Sequence, residues 1–274
     1  MESNEYILGT DDEELRRLLE QHLVWQSAQH TLLEAARVER GARVIDLGCG
    51  PGYTSFELAA HVGAEGSVLA VDQSDRFVSS LAEEAHRRSL DNVEGRAASV
   101  EELDVPVGSI DAVYSRWLFS WLPDPASVLA RTSAWLRPGG AFLLQEYLDW
   151  EAVSSIPRED DFQAVVAACM ESWRQGGGTI DVARLLPRFA EQLGLVVELF
   201  EPMVRIAVPG SPEWRWIGGF FESYLPRLVE RGLLAPELFE RHGERWRERT
   251  ARAEGACLTP VLANLVLRKP TDQP

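Results

Sequence analysis

The chain has 274 residues, of which 45% are hydrophobic, and carries a formal net charge of −16 from 43 acidic and 27 basic residues. This length allows one sizeable core with an elaboration, or two small domains. The acidic balance disfavours nucleic acid and anionic membrane surfaces as partners, because binding either one requires basic residues that meet phosphates.

Cysteine usage and the start of the chain indicate a cytoplasmic protein. Cys49, Cys169 and Cys257 lie far apart and form no CxxC pair, so we expect neither a disulfide framework nor a structural zinc site. The first residues lack the basic and apolar regions of a signal peptide, and no apolar run approaches the ~20 residues that span a membrane. No His, Asp or Glu group has metal-ligand spacing, so we expect no metal.

The first part of the chain, residues 1–40, predicts a helical segment. A capping-box pattern begins at Thr10, leucines follow at helical spacing over 11–38, and Gly41 ends the run. Two interpretations stay open. The helix either packs against the rest of the protein, or forms a lid whose leading segment around Tyr6 folds over a cofactor.

Residues 41–150 alternate short apolar strands with helices. The strands are predicted at 42–47, 67–72, 92–98, 110–115 and 141–147. Strands that alternate with helices indicate a parallel, doubly wound sheet with right-handed crossovers.

Residues 151–274 follow a different pattern. Helices are predicted at 161–173, 182–193 and 212–253, and long strands at 196–208 and 257–268. Two helical insertions, at about 151–190 and 211–253, therefore interrupt the last two strands of the sheet. We interpret them as a helical cap over the carboxyl ends of the strands, where open α/β sheets bind ligands.

A glycine-rich loop follows the first predicted strand. The run from Asp46 to Gly52, DLGCGPG, allows backbone to approach a ligand without side-chain clash. Its third glycine comes two residues after the second, so the dinucleotide pattern GxGxxG fails. Asp46 would also repel a pyrophosphate at the helix N-terminus. An acid at this position suits a ligand with a cationic end.

A second acid, Asp72, ends the second predicted strand, 22 residues after Gly50. An acid near this separation can accept hydrogen bonds from ribose hydroxyls. The alternative role is a helix N-cap, for which Asp72 or Ser74 would serve equally well. The glycine loop upstream favours the ribose interpretation.

Residues 42–147 resemble the class I S-adenosylmethionine-dependent methyltransferases, in the small-molecule branch that includes ubiquinone, menaquinone and secondary-metabolite methyltransferases. The matching stretches are VIDLGCGPG at 44–52, VLAVD at 68–72, the segment 103–113 and LRPGG at 136–140. The resemblance implies a Rossmann-like, mostly parallel seven-stranded sheet with an antiparallel last strand. It also implies S-adenosylmethionine as cofactor and S-adenosylhomocysteine as product.

The resemblance assigns the glycine loop and Asp72 to the donor. Gly48 and Gly50 should approach the methionine part, and Asp46 should help to hold its ammonium. Asp72 should take the ribose, and Gln73 should flank the adenine.

Four further positions belong to the donor pocket by the same resemblance. Ser115 and Arg116, just after the fourth strand, should line it near the sulfonium. The family usually has an acid that accepts from the adenine amino group, and this chain has Ser99 there, followed by Val100. A neutral hydroxyl makes a weaker hydrogen bond than a carboxylate, by roughly 1 kcal/mol.

The acceptor side is predicted from strand ends and aromatic residues. Methyl transfer from a sulfonium is an in-line displacement, so the protein mainly supplies alignment and a dry site. Glu146 and Tyr147, at the end of the fifth strand, are candidates for a base or a substrate contact, unless they merely face solvent or a loop. An aromatic set can line an apolar pocket, and its predicted substrate contacts are Trp117, Trp121, Trp150, Trp216 and Phe220.

Together these observations predict a methyltransferase that acts on a small, largely apolar or aromatic acceptor in bacterial secondary metabolism. Its partner would be this small molecule, and a homo-oligomer stays open. One alternative is a nucleotide-cofactor oxidoreductase on a similar sheet, against which Asp46 and the failed GxGxxG argue. The other alternative is a donor-binding protein without transfer activity.

Overall fold

The structure is a computed structural model and describes residues 9–271. The strands in this part of the chain are β1 (Arg43–Leu47), β2 (Ser67–Asp72), β3 (Val93–Ala97), β4 (Ile110–Arg116), β5 (Leu136–Asp149), β6 (Ser154–Ile156), β7 (Val196–Met203), β8 (Ile206–Ala207), β9 (Ala256–Leu258) and β10 (Val261–Arg268). The α-helices are α1 (Asp12–Ala35), α2 (Tyr53–Val62), α3 (Asp75–Arg87), α4 (Pro125–Trp135), α5 (Asp160–Gln175), α6 (Leu186–Gln192), α7 (Pro212–Glu230) and α8 (Pro236–Arg252).

Seven strands form one sheet in the order β3-β2-β1-β4-β5-β10-β7. The pairs from β3 to β5 are parallel, and β10 runs antiparallel to both β5 and β7. The predicted Rossmann-like sheet with an antiparallel last strand is confirmed. The strand order reverses between β1 and β4, which is where open α/β sheets place a ligand crevice at the carboxyl ends.

Helices cover both faces of this sheet, so its central strands are buried and apolar. β1 is buried over all but its first residue, and β5 is buried from Gly140 through Tyr147. On α3, the buried residues Phe77, Leu81 and Ala85 are the three that the four-residue spacing predicts.

Both long strands predicted in the last third of the chain are broken. Residues 196–208 divide into β7 and β8, and residues 257–268 into β9 and β10. Pro260 cannot donate to a strand ladder, and the preceding residue, Thr259, donates its N–H to the Arg205 carbonyl at 3.1 Å. The chain therefore turns out of the large sheet at this point.

A second, three-stranded sheet, which the sequence pattern did not predict, results from these breaks. It has the order β6-β9-β8, and both of its pairs are antiparallel. Its strands have two or three residues each. Runs this short carry no usable period-two signal.

Helix boundaries also differ from the predictions in three places. Asp11, not Thr10, is the N-cap of α1, and its carboxylate accepts from the N–H groups of Glu13 and Glu14. The predicted helix 182–193 is a 3₁₀ turn followed by α6. The predicted helix 212–253 is α7 and α8, joined through Gly232 at a φ of +70°.

The cap consists of α5, α7 and α8 with the small sheet, and α1 packs against α7. The last strand also holds α1, because Asn264 Nδ2 donates to the Ala28 carbonyl at 3.3 Å. In the residues that the structure describes, no helix is both long and apolar enough to cross a membrane.

Candidate active site

The glycine loop follows β1 and leads into α2 in a conformation that favours glycine. Gly48 and Gly52 have φ angles of +67° and +87°, in the left-handed region. A Cβ on Gly48 would lie 3.1 Å from Leu118 Cβ, and a Cβ on Gly52 would lie 2.5 Å from Leu81 Cδ1. The loop is therefore packed too closely for side chains, and its backbone forms one wall of the crevice.

Asp72 fastens this loop to the end of β2. One carboxylate oxygen accepts from the Gly50 N–H and the other from the Ser74 N–H, both at 2.9 Å. Ser74, not Asp72, caps α3, since its hydroxyl accepts from the Phe77 N–H. Burial raises the pKa of Asp72, against the lowering effect of these backbone donors. Each oxygen keeps a lone pair for a further hydrogen bond.

Asp46, at the end of β1, is almost completely buried, with 1% of its surface exposed. Ser55 Oγ donates to Asp46 Oδ2 at 2.7 Å. Burial raises the pKa of Asp46 to about 7, although Ser55 and the positive charge of Arg116 lower it. The carboxyl is thus able to change its ionisation state near neutral pH when a charged group reaches it.

The two residues at the end of β4 have different surroundings. Ser115 is fully buried, and its hydroxyl donates to the Leu47 carbonyl at 3.1 Å, so this side chain ties β4 to β1. Arg116 Nη2 lies 3.4 Å from His22 Nδ1 on α1. Arg116 Nη1 is buried and has no hydrogen-bond partner among the described residues. Burial lowers the pKa of His22 to about 4, which leaves it neutral beside this cation.

The predicted adenine-side residues lie where β2 and β3 end. The Ala98 N–H donates to the Asp72 carbonyl at 2.9 Å, which holds the two strand ends together. Gln73 is exposed, Ser99 is half-buried and Val100 is buried. Ser99 is the N-cap of a 3₁₀ turn, and its N–H donates to Glu102 Oε2 at 3.1 Å.

Glu146 is fully buried at the end of β5. Its Oε1 accepts from the Phe119 N–H at 2.8 Å, while Oε2 has no partner among residues 9–271. Burial raises the pKa of Glu146 to about 8, although backbone N–H groups of the turn that contains Phe119 lower it. This side chain does not face solvent, but it does face the turn after β4, as the alternative role for a strand-end residue also allows.

Three aromatic rings form a stack above the ends of β4 and β5. Trp117 stacks on Tyr147 at 5.7 Å between centroids and on Trp216 at 6.0 Å. Trp25 from α1 meets the edges of Trp117 and Trp216. Trp117 has a φ of +54°, a strained value for a side chain of this size. Such strain is found at functional sites more often than elsewhere.

A second group of rings continues from Tyr147 into the cap. Trp150 lies 5.5 Å from Tyr147, 5.3 Å from Phe220 and 5.9 Å from Trp173, measured between centroids. Trp121 packs on Trp173 at 4.3 Å. All the predicted acceptor contacts therefore belong to one connected aromatic cluster.

A buried polar chain on α1 supports this cluster. Arg17 donates to Glu14 Oε2 at 2.6 Å and to Gln21 Oε1 at 3.1 Å. Gln21 Oε1 also accepts from the indole N–H of Trp216 at 3.1 Å. Farther along, the Tyr53 hydroxyl at the start of α2 donates to the Leu15 carbonyl. α1 is thereby linked both to the aromatic stack and to the glycine loop.

Residues 38–184, just over half of the chain, match the family model described as a methyltransferase domain. The chain belongs to this methyltransferase family. Its sheet and its order of elements are those of the class I S-adenosylmethionine-dependent enzymes, as the motifs predicted.

Related proteins agree with this membership. The chain is 28% identical over 229 residues to an uncharacterized 37.1 kDa protein in transposon TN4556 of Streptomyces fradiae, covering 82% of this chain and 62% of that protein. It is 34% identical over 109 residues to nocamycin O-methyltransferase of Saccharothrix syringae, covering 40% of this chain and 39% of the relative. The match therefore spans less than two thirds of either relative's length.

A solved structure shares the fold of this methyltransferase. Coclaurine N-methyltransferase, bound to N-methylheliamine and S-adenosylhomocysteine, superimposes with a TM-score of 0.58 at 19% identity. The likeness covers 89% of this chain and 72% of that chain.

Within this methyltransferase, the predicted site residues with described positions gather around the carboxyl ends of β1, β2, β4 and β5. Tyr6 lies outside the described residues. Sequence reasoning missed Gln21, His22 and Trp25 on α1. The spacing of Gln21, Trp25, Ala28 and Leu32 could have indicated this face of the helix, because it places all four residues on one buried side.

A cavity of about 500 Å³ lies elsewhere, between the start of α5 and α8. Its charged residues pair with one another, since Arg241 bonds Asp161, and Arg245 and Arg249 both bond Glu159. Among residues 9–271, no group of three or more His, Cys, Asp or Glu side chains is arranged to hold a metal ion.

Proposed function

We propose that this protein transfers a methyl group from S-adenosylmethionine to a small, largely apolar or aromatic acceptor. One observation carries the proposal. A closely packed glycine loop with two acids lies at the same edge of the sheet as a buried aromatic cluster and a buried carboxyl oxygen without a partner, Glu146 Oε2. Family membership and the nocamycin relative, whose name describes O-methylation, support a role in bacterial secondary metabolism.

The donor side of the crevice fits S-adenosylmethionine, which when bound supplies an electrophilic methyl group on sulfur. Asp72 would accept from the ribose hydroxyls with the lone pairs that Gly50 and Ser74 leave free. Asp46 would ionise to hold the ammonium of the methionine part. The unpaired Arg116 Nη1 would donate to the carboxylate of the methionine part. Gly48 and Gly50 would let the backbone approach.

The acceptor side supplies water exclusion and a proton site. Trp117, Tyr147, Trp150 and Phe220 are all less than a tenth exposed, so the aromatic cluster excludes water. Methyl transfer gains from exclusion of water, because water would solvate the nucleophile. A carboxyl with a pKa of about 8 is suited to exchange a proton with an acceptor hydroxyl near neutral pH.

The donor site is tested by calorimetry with S-adenosylhomocysteine. Asp72→Ala should weaken binding at least tenfold, because it removes two charge-assisted hydrogen bonds of roughly 1.5–3 kcal/mol each before compensation. It should also lower the melting temperature slightly, since the Gly50 and Ser74 N–H groups lose their acceptor. Asp75→Ala, at an exposed position nearby, is the control. Wild-type affinity in folded Asp72→Ala would contradict the ribose assignment.

Transfer itself is tested with methyl-labelled donor and a panel of phenols. Glu146→Gln preserves size and the bond from Phe119 but cannot take a proton. We expect kcat to fall by roughly 10²- to 10⁴-fold while S-adenosylhomocysteine affinity is kept. The control is Glu151→Gln, at an exposed position in the following loop. No transfer to any acceptor, with normal donor binding, would favour the donor-binding protein without activity.

A further inference from the structure

Buried polar atoms without partners are concentrated at one place in this protein. Over residues 9–271, ten buried side-chain nitrogen or oxygen atoms have no hydrogen-bond partner. Seven of them surround the carboxyl ends of β4 and β5, on Trp25, Arg116, Trp117, Ser120, Glu146, Trp150 and Trp173. Proteins rarely leave buried polar groups unpaired, so a cluster of them marks a site that a ligand completes.

Most of these atoms belong to indole rings of the aromatic cluster. Trp117 and Trp150 both adjoin Tyr147, at 5.7 and 5.5 Å between ring centroids, and Trp173 lies 5.9 Å from Trp150. Ser120 follows Phe119, whose N–H binds Glu146. The turn that contains Ser120 links these groups, because the neighbouring Trp121 packs on Trp173 at 4.3 Å and the Phe119 N–H binds Glu146 Oε1.

The chemistry of these groups selects the kind of atom that they can bind. An indole N–H can only donate, so each unpaired indole requires a lone pair on the ligand. The nitrogen of an amine acceptor has one lone pair, which must attack the methyl group, and therefore none remains for an indole. A phenol or carbonyl oxygen has two or more lone pairs. The site is matched to oxygen.

We propose that the acceptor is an aromatic or enolic molecule with a hydroxyl beside a carbonyl, methylated on the hydroxyl oxygen, and that the indole N–H groups of Trp150 and Trp173 read its oxygens. This inference rests on the proposed function and names the substrate class of the same site. Glu146 takes the hydroxyl proton, and Ser120 Oγ is the unpaired hydroxyl that can also donate to the carbonyl.

The transfer balances with the groups present. The O–H bond of the acceptor breaks, and its proton goes to Glu146 Oε2. The oxygen electron pair forms the new C–O bond to the methyl carbon as the C–S bond breaks, and that bond's electron pair returns to sulfur. The products are the methyl ether, S-adenosylhomocysteine and protonated Glu146, which then loses its proton to solvent.

The test compares three naphthalene probes of similar size, namely naphthol, naphthylamine and a hydroxyacetonaphthone whose hydroxyl and carbonyl are adjacent. Binding is measured by calorimetry on protein saturated with S-adenosylhomocysteine. Each added indole–oxygen hydrogen bond is worth roughly a three- to tenfold gain in affinity. We expect the hydroxyacetonaphthone to bind at least tenfold more tightly than naphthol, and naphthylamine to bind most weakly.

Three variants assign this preference to particular indoles. Trp150→Phe and Trp173→Phe keep an aromatic ring but remove one donor each, so each should reduce the preference for the carbonyl probe several-fold. Trp214→Phe is the matched control, because the Trp214 indole already donates to Thr250 Oγ1 at 2.9 Å. Melting temperatures identify any variant that loses the probe through unfolding instead.

The outcomes separate this inference from the proposed function. Three results would overturn the proposal that the indoles donate to the acceptor oxygens. These are equal binding of naphthol and the hydroxyacetonaphthone, failure of the hydroxyacetonaphthone to bind, and an unchanged preference in both variants. Tightest binding of naphthylamine would show that the site selects N–H donors and not oxygen lone pairs. In all these cases, donor affinity and transfer to any phenol still decide the proposed function independently.

Discussion

At the scale of single residues, Asp46 and Glu146 are the two carboxyl groups that give the site its acid–base character. Both are fully buried, and burial raises their pKa values to about 7 and about 8. Buried ionisable groups are costly unless a partner or a function requires them. Asp46 lies beside the glycine loop and Glu146 beside the turn that contains Phe119, so the carboxyl ends of β1 and β5 each carry one group that titrates near neutral pH.

We predict that donor affinity depends on pH through Asp46. Only the ionised carboxylate attracts an ammonium, so S-adenosylhomocysteine affinity should rise about tenfold per pH unit below the pKa of about 7 and then level off. S-adenosylhomocysteine carries no sulfonium, which reduces any contribution from Glu146. Calorimetry on either side of neutral pH measures the slope. Asp46→Asn should bind more weakly with no such slope, and an equal slope in both proteins would contradict the assignment.

The sequence predicted the identity of the donor-side residues better than their contacts. The glycine spacing was sufficient to mark Asp46 and Asp72. It could not show that Asp72 shapes the glycine loop through Gly50, or that Ser115 binds the Leu47 carbonyl. Those bonds depend on how closely neighbouring strands approach, and the pattern of one strand carries no information about its neighbour's backbone.

At the scale of elements, the predicted core was correct because each strand and helix there is long enough to show its period. The errors fall where elements are short or where proline interrupts them. β6, β8 and β9 have two or three residues each, and Pro260 separates β9 from β10. A continuous apolar run such as 257–268 gives no sign that its ends belong to different sheets.

The helix α1 is the element whose role the sequence left open, between packing and lid. The structure supports a combined role. Its second half packs on the sheet, where the Ala28 carbonyl accepts from Asn264. Its first half meets the glycine loop, since Leu18 Cδ1 lies 4.0 Å from the Cβ position of Gly50 and Leu15 accepts from Tyr53.

We predict that donor binding protects the first half of α1 from hydrogen exchange. A ligand at 100 times its Kd stabilises the bound state by about 2.7 kcal/mol, so exchange governed by local opening should slow up to about 100-fold. Mass spectrometry should show this effect between Asp12 and His22, beside Arg116. Helix α8, which packs on α5 and α7, is the internal control and should not change. Equal protection of both helices, or none in α1, would rule out the lid role.

At the scale of the whole molecule, buried groups whose pKa values shift in opposite directions determine how stability depends on pH. Asp46 and Glu146 keep protons that the unfolded chain loses. His22 and His242 stay neutral in the folded protein, with pKa values of about 4, where the unfolded chain binds protons. Burial is the main cause of all four shifts. Below the ordinary histidine value of 6.5, the effects of the two pairs oppose each other.

Above pH 6.5 the effect of the two carboxyl groups exceeds that of the two histidines, and we predict that the protein without donor loses stability as the pH rises from 6.5 to about 8. Unfolding releases their protons in this window, so rising pH favours the unfolded chain by about 1.4 kcal/mol per unit for each group still protonated, or roughly 2 kcal/mol altogether. Urea unfolding across this window measures the loss. Glu146→Gln should remove most of the loss above pH 7, where Asp46 is already more than half ionised. A wild-type slope in Glu146→Gln would show that Glu146 is ionised in the folded protein.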